Sequence, residues 1–241
     1  PVEEILAAIQ EAGIVGLGGA AFPTHVKLKV PEGKRIDTLI LNGAECEPFL
    51  TTDHRVMLEQ RADIFTGIRY LQRVTGAGRV IVGVESNKPD AAEHLRAGVP
   101  KDPSQGGPVE VEVLSVKYPQ GAEKMLITAL LGREVPSRGL PSDVGALVIN
   151  VATAAEIGRL LPHGRGIQER VITVTGPAVA KKGNYRIPIG TPLRFVLETV
   201  GVGPDVRRVF LGGPMMGQAA SSLDIPITKG VSGVVAFDEG L

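Results

Sequence analysis

Between residues 1 and 163 strand and helix patterns alternate four times, and this order restricts the fold more than any other feature of the chain. Residues 2–12 carry Ile5, Leu6 and Ile9 on one helical face, with Glu3 and Glu4 in the first turn and Gly13 as the stop. The run 38–42 (TLILN) is short and apolar enough for a buried strand. Residues 54–74 place Met57, Ile64, Ile68 and Leu71 inward on one helix, and 79–85 (RVIVGVE) is a second strand. A helix is expected over 88–97, a half-exposed strand from Val109 to Val116, a helix ending at Leu131, and a buried strand over 145–151 (GALVINV). Thr153-Ala154-Ala155-Glu156 has the spacing of a capping box opening the next helix. The simplest architecture is a twisted, largely parallel sheet covered by helices, with its ligand edge at the carboxyl ends of the strands.

From about Gly166 the pattern changes. Strands are expected over 169–176 and 184–189, a helix over 191–200 with Thr191 as cap and Pro192 in its first turn, and a third strand over 207–211. That order suggests a small β-grasp-like domain. The expected division is an α/β domain over 1–165, a β-grasp domain over 166–228, and a linker over 229–241 with little structure of its own.

The chain's 241 residues hold 26 basic and 26 acidic side chains, so no broad basic field exists and nucleic acid is not an expected partner. No apolar run approaches the roughly 20 residues that span a bilayer, and the chain itself is expected to be soluble. One cysteine, Cys46, excludes an internal disulfide and any all-cysteine metal site.

Chemistry concentrates in three loops. Gly16-Leu17-Gly18-Gly19-Ala20-Ala21-Phe22-Pro23-Thr24-His25-Val26-Lys27 is poor in side chains and ends in a ring, a proline and a lysine. Its bare backbone N–H groups and Lys27 suit a phosphate-bearing planar cofactor, although a glycine-rich turn without a ligand is the commoner finding for such a stretch alone. It follows a helix where a dinucleotide fingerprint follows a strand, which counts against an ordinary Rossmann loop, and Asp37 is discounted as its ribose acid. Phe22 either stacks on a base or packs into the core. The second loop, Asn42-Gly43-Ala44-Glu45-Cys46-Glu47-Pro48, lies at a strand's carboxyl edge and combines small residues with hydrogen-bond acceptors as a ligand floor does. The third, Tyr118 with Gly121 and Glu123, is a ring–glycine–acid group after a strand.

Acids beside Cys46 disfavour a thiolate, so a buried or cofactor-lining thiol is expected, not a nucleophile. His25, His54, His94 and His163 have no ligand spacing and no metal site is expected. Ser137 and Ser142 lack a nucleophile elbow.

Taken together, GLGGAAFPTHVKL, LNGAECEPFLTTDHRVM, KYPQGAEKMLITALLGREVP, VINVATA and FLGGPMMG resemble the C subunit of the Rnf electron-transport complex, an ion-pumping ferredoxin–NAD oxidoreductase. The Rnf protein is similar in turn to the NADH-oxidising flavin subunit of respiratory complex I. The resemblance runs the length of the chain. It implies a Rossmann-like FMN-binding domain with a mostly parallel sheet, followed by a β-grasp domain of the soluble-ligand-binding (SLBB) type. By matching blocks, it implies that Gly16, Gly18, Gly19 and Lys27 hold the FMN phosphate and ribityl chain. Asn42, Glu45, Tyr118, Gly121, Asn150 and Thr153 would surround the flavin, and Phe22, Glu47 and Glu123 would face NAD(H). Leu17, Ala44 and Ala122 depart from the complex I pattern of arginine, aspartate and glutamate, and a basic residue that the complex I relative uses near the dinucleotide could correspond to Arg133 or Arg138. A flavin accepts hydride and releases single electrons, so no catalytic acid or base is expected.

The resemblance further implies a peripheral place on the cytoplasmic side of the cell membrane, other proteins of the complex as partners, and ferredoxin as an indirect one. Iron–sulfur clusters are expected only in a C-terminal segment that this chain lacks. Two alternatives stay open: a cobalamin reductase-type flavoprotein, and an electron-transfer scaffold that has lost its flavin.

Overall fold

The computed structural model describes residues 1–102 and 107–238, and they form two sheets. The first is four-stranded and wholly parallel, built from β1 (Thr38–Gly43), β2 (Arg79–Glu85), β3 (Val109–Leu114) and β4 (Ala146–Asn150) in the order β3-β2-β1-β4. Leu39, Ile40 and Leu41 are all fully buried, because β1 is covered on both faces, and such a strand reads as an unbroken apolar run. Leu39 and Leu41 face the larger core under α1 (Val2–Glu11), α4 (Arg61–Thr75) and α7 (Val151–Leu160), whereas Ile40 faces a smaller one under α6 (Glu123–Leu131). Two glycines let α4 and α7 approach closely: a Cβ on Gly67 would overlap the Ala154 carbonyl, and one on Gly158 the Asp63 carbonyl.

The helix expected over 54–74 is two helices, α3 (Thr52–Glu59) and α4, broken at Gln60 with φ −118° and ψ 30°. The expected capping box at Thr153 is absent. Asn150, at the end of β4, is the cap of α7, its side chain accepting from the N–H groups of Ala152 and Thr153. Thr191 is likewise no cap: its hydroxyl donates to the Pro188 carbonyl, and α8 (Leu193–Val200) starts after Pro192. α2 (Thr24–Lys27) and α5 (Pro89–Gly98) complete the first unit.

The second sheet is five-stranded and mixed, with β5 (Glu169–Thr175), β6 (Gly183–Pro188), β7 (Arg208–Leu211), β8 (Gln218–Ala219) and β9 (Gly233–Phe237) in the order β6-β5-β9-β7-β8. Here the expected linker over 229–241 is corrected. Its residues Gly233–Phe237 form the central strand of this sheet, buried throughout, parallel to β5 and antiparallel to β7. Residues 239–241 lie outside the described residues.

Candidate functional site

The candidate site begins where β1 and β4 end side by side. Asn42 and Asn150 are register partners at the carboxyl edge of the sheet. Asn42 Nδ2 donates to the Gly121 carbonyl at 2.8 Å, and its Oδ1 accepts from the Ala44 N–H at 3.0 Å. Asn150 spends its Oδ1 on the start of α7 and its Nδ2 on Asp53 Oδ2 at 2.7 Å. The two asparagines thus brace the loops at Ala44 and Gly121 and the start of α3 to the sheet edge.

The glycine loop is held by other residues. Gly16 donates to the Phe22 carbonyl and Ala21 to the Gly16 carbonyl, so residues 16–22 close on themselves. Leu17 roots the loop: its side chain is buried, its N–H donates to Thr153 Oγ1 at 2.9 Å, and its carbonyl accepts from the Arg170 guanidinium at 3.1 Å. A side chain that serves as a core anchor explains an apolar residue at position 17. Gly18, Gly19 and Ala20 are exposed, Gly19 has φ 121° with nothing near the place its Cβ would take, and Ala21 is held at φ 51°. Gly18 rests against the Asn150 amide, 3.2 Å from where its Cβ would lie. The loop therefore offers bare backbone above a rigid base. Phe22 is 51% exposed at its rim, which removes the core-packing alternative.

Lys27, on α2, does not stand free. Its Nζ lies 2.6 Å from Glu123 Oε1 at the start of α6, joining two residues that the family resemblance assigns to different ligands.

The second wall, 42–48, is stiffened from within. The Glu45 carboxylate accepts from the N–H groups of Asp53 and His54 at 3.0 and 3.2 Å, which satisfies the otherwise orphaned start of α3. Burial, with the charge of Asp53 adding, pushes the Glu45 carboxyl up to about 7, and burial pushes Asp53 up to about 6. Burial also raises the Cys46 thiol, with the charges of Glu85 and Glu47 adding, which disfavours a nucleophilic thiolate. Glu47 Oε2 accepts from the Met215 N–H at 3.2 Å, while its Oε1 is buried without a partner. Behind this wall Lys88 and Glu85 form a buried ion pair at 2.8 Å.

In the third wall a Cβ on Gly121 would overlap the Ala44 carbonyl, so that glycine lets this loop lie flat on the second wall. Tyr118 is partly exposed beside Glu47 and Cys46; desolvation raises its phenol, and the charges of those two neighbours add to the effect. The structure thus gathers Gly16, Gly18, Gly19, Phe22, Asn42, Glu45, Glu47, Gly121, Asn150 and Thr153 at one edge of the sheet. Thr153 is buried and acts on the loop from beneath. Arg133 pairs with Asp37 at 2.9 Å, at the opposite end of β1, and is no part of this edge.

Arg170 was not singled out in the sequence. It comes from β5 of the second sheet, is 2% exposed, and donates to the carbonyls of Leu17 and Lys229. Burial lowers its guanidinium to about 10, with Asp53 and Glu156 holding the charge. The signal was present: Arg170 shares the alternating inward face of Ile172 and Val174, where a charge is out of place unless paired. Among the described residues no cluster of His, Cys, Asp and Glu could hold a metal, and no helix is long and apolar enough to cross a membrane.

Comparison with known proteins bears on the family and the fold. The Complex1_51K family profile, the Nuo51 FMN-binding domain, matches residues 9–159, and the SLBB domain profile matches residues 171–219. The chain is 47% identical over 237 residues to the C subunit of the proton-translocating ferredoxin:NAD(+) oxidoreductase complex of Clostridium ljungdahlii, covering 98% of this chain and 51% of the relative. It is 44% identical over 230 residues to the C subunit of the Na(+)-translocating ferredoxin:NAD(+) oxidoreductase complex of Acetobacterium woodii, covering 95% and 51%. The C subunit of the ion-translocating oxidoreductase complex of Actinobacillus succinogenes is 42% identical over 238 residues, covering 98% and 33%. A solved NAD+-reducing [NiFe]-hydrogenase in the H2-reduced state shares the fold with TM-score 0.80 at 23% identity, over 99% of this chain and 47% of that one. The chain spans about half the length of the first two curated relatives.

Proposed function

The chain belongs to the Nuo51 FMN-binding domain family, and on that premise we propose that it binds FMN at the carboxyl edge of its parallel sheet and exchanges hydride with NAD(H) there. The observation that carries the reading is the Gly16–Ala21 loop: a backbone exposed at Gly18, Gly19 and Ala20, two residues at positive φ, and a base fixed by Thr153 and Arg170. The residues fit a phosphate-bearing planar group. Gly19 leaves open space where a side chain would stand, Gly18 lets the backbone lie against the Asn150 amide, and Glu47 keeps one buried oxygen without a donor.

In this reading Gly18 and Gly19 present amides to the phosphate and ribityl chain, Gly16 shapes the loop for them through its bond to the Phe22 carbonyl, and Lys27 turns from Glu123 to add its charge. Asn42, Glu45, Tyr118, Gly121 and Asn150 form the flavin's surround, while Thr153 supports the loop from below. Phe22, Glu47 and Glu123 receive the nicotinamide nucleotide. When bound, FMN supplies two-electron chemistry towards NAD(H) and one-electron chemistry towards iron–sulfur centres. The chain's own residues bind, orient and exclude water. No side chain here is required as acid or base.

The first two relatives, named as subunits of ion-translocating ferredoxin:NAD(+) oxidoreductase complexes, support a wider role in such a membrane-associated complex; we place this unit peripherally on the cytoplasmic side, with ferredoxin reached through iron–sulfur clusters outside the chain. Titrating the protein with FMN and then adding NADH tests the reading. Uptake of FMN near one equivalent and bleaching on NADH addition are expected. A protein that takes up no FMN contradicts it.

A further inference from the structure

A loop of the second sheet reaches into this edge. Residues 212–217 (GGPMMG) follow β7 and end at β8, and the loop is pinned at both ends: Gly212 donates to the Gly233 carbonyl beside β9, and Gly217 donates to the Gly213 carbonyl, each at 2.8 Å. Gly212 has φ 95°. From that fixed base the loop lies directly on Glu47. Met215 N–H donates to Glu47 Oε2 at 3.2 Å across 168 residues of sequence. A Cβ on Gly213 would overlap the Glu47 carboxylate, with the Glu47 Cβ only 2.8 Å away. Met215 and Met216 turn outward, Met216 being 76% exposed, so the loop's backbone makes the contact and its side chains do not.

We infer that the Gly212–Gly217 loop is a wall of the nicotinamide site, and that Gly213 and Met215 are positioning residues that aim the free oxygen of Glu47 at the bound nucleotide. This rests on the reading of the site given above. A glutamate side chain has several rotamers to lose, and one hydrogen bond together with contact along its length removes most of that freedom. The donor is a backbone amide set by the β7–β9 pairing, so its position does not depend on a flexible side chain. Holding Oε2 leaves Oε1 as the acceptor not yet used, and a buried acceptor without a partner costs about 1–3 kcal/mol until a donor arrives. The nicotinamide carboxamide carries such a donor. The second sheet thereby takes part in nucleotide recognition without a side chain of its own in the site.

A double-mutant cycle tests this, with Gly213→Ala and Glu47→Ala alone and together. In the FMN-loaded protein Gly213→Ala should raise KM for NADH about ten- to a hundredfold, the scale of an ångström-sized misplacement, leaving FMN affinity unchanged. In the Glu47→Ala background, where nothing is left to displace, the same substitution should change KM less than about twofold. Glu47→Asp, shorter by one methylene, should recover part of the loss caused by Gly213→Ala. A second readout needs no nucleotide: in the flavin-free protein the Met215 amide should exchange with deuterium faster in Glu47→Ala, by about ten- to a hundredfold, while the amides of β7 and β9 keep their protection. Equal effects of Gly213→Ala in both backgrounds, or a Met215 amide indifferent to Glu47, would overturn the inference. If the unaltered protein holds FMN but NADH does not reduce it, the functional reading fails, and the amide exchange still decides whether the loop positions Glu47.

Discussion

Lys27 Nζ and Glu123 Oε1 lie 2.6 Å apart, a partly exposed ion pair that joins the end of the short helix after the glycine loop to the start of α6. In the proposed reading, a phosphate entering the loop draws Lys27 away from that partner. Glu123→Gln should therefore tighten FMN binding by about two- to fivefold at low salt, the range expected of one exposed pair. The same change should weaken NADH binding if Glu123 faces the nucleotide. Fluorescence titration with FMN and steady-state kinetics with NADH measure the two effects separately.

Arg170 joins the second sheet to the root of the glycine loop. Arg170→Met keeps the bulk and removes the charged donor from the Leu17 and Lys229 carbonyls. Unfolding stability should fall by about 1.5–3 kcal/mol, the scale of a hydrogen bond from a charged group, and FMN affinity should fall with it as the loop loses its anchor. Denaturant unfolding with and without FMN separates the two.

Glu45 and Asp53 have carboxyls raised by burial, up to about 7 and about 6. A carboxyl whose folded pKa lies above its unfolded one binds more protons when folded, so stability is greatest in acid and declines as pH rises from the usual carboxylate range towards 7. Thermal unfolding followed between pH 5 and pH 7 should show this decline. Glu45→Gln should flatten it. The carboxyls of Asp90, Glu110, Asp143 and Asp224 are lowered by their partners, and their contributions are lost only below the usual carboxylate range, outside this window.

Gly67 and Gly158 permit the α4–α7 contact. Gly67→Ala places a methyl group against a backbone carbonyl that cannot rotate away, a loss of about 1–3 kcal/mol. Melting should fall by about 2–12 °C for a chain of this size. Calorimetry measures it.

β1, β2 and β4 were legible in the sequence because they are buried on both faces and read as compact apolar runs, β1 most plainly, whereas the edge strand β3 was legible by its alternation. The break at Gln60 was not, since the apolar spacing of Met57, Ile64 and Ile68 runs through it; the break shows only in the backbone angles. β9 was missed for a different reason. Gly233–Phe237 is a short apolar stretch after loops, and its partners β5 and β7 lie far back in the chain, so nothing local announces the pairing. Phe237 then receives Phe49 and Phe210 edge-on, with centroids 5.6 and 5.8 Å away, tying the strand to the loop after Glu47. The three loops singled out in the sequence meet at one sheet edge, while several side-chain partnerships were unseen. Glu45 binding the start of α3 and Thr153 holding Leu17 are contacts that only folding creates.

At the centre of this reading, the exposed backbone of Gly16–Ala21, rooted by Thr153 and Arg170, receives the phosphate end of FMN. Equilibrium titration of the flavin-free protein with FMN, compared with its Gly19→Val variant, tests it most directly. Gly19 sits at φ 121° with open space around it, so a β-branched residue there is strained and crowds the phosphate without disturbing any core contact. Near-stoichiometric uptake by the protein and a loss of about a hundredfold or more in the variant, scaled to one or two lost amide–phosphate bonds, is the expected result. Equal FMN binding by both proteins, or none by either, would contradict the claim.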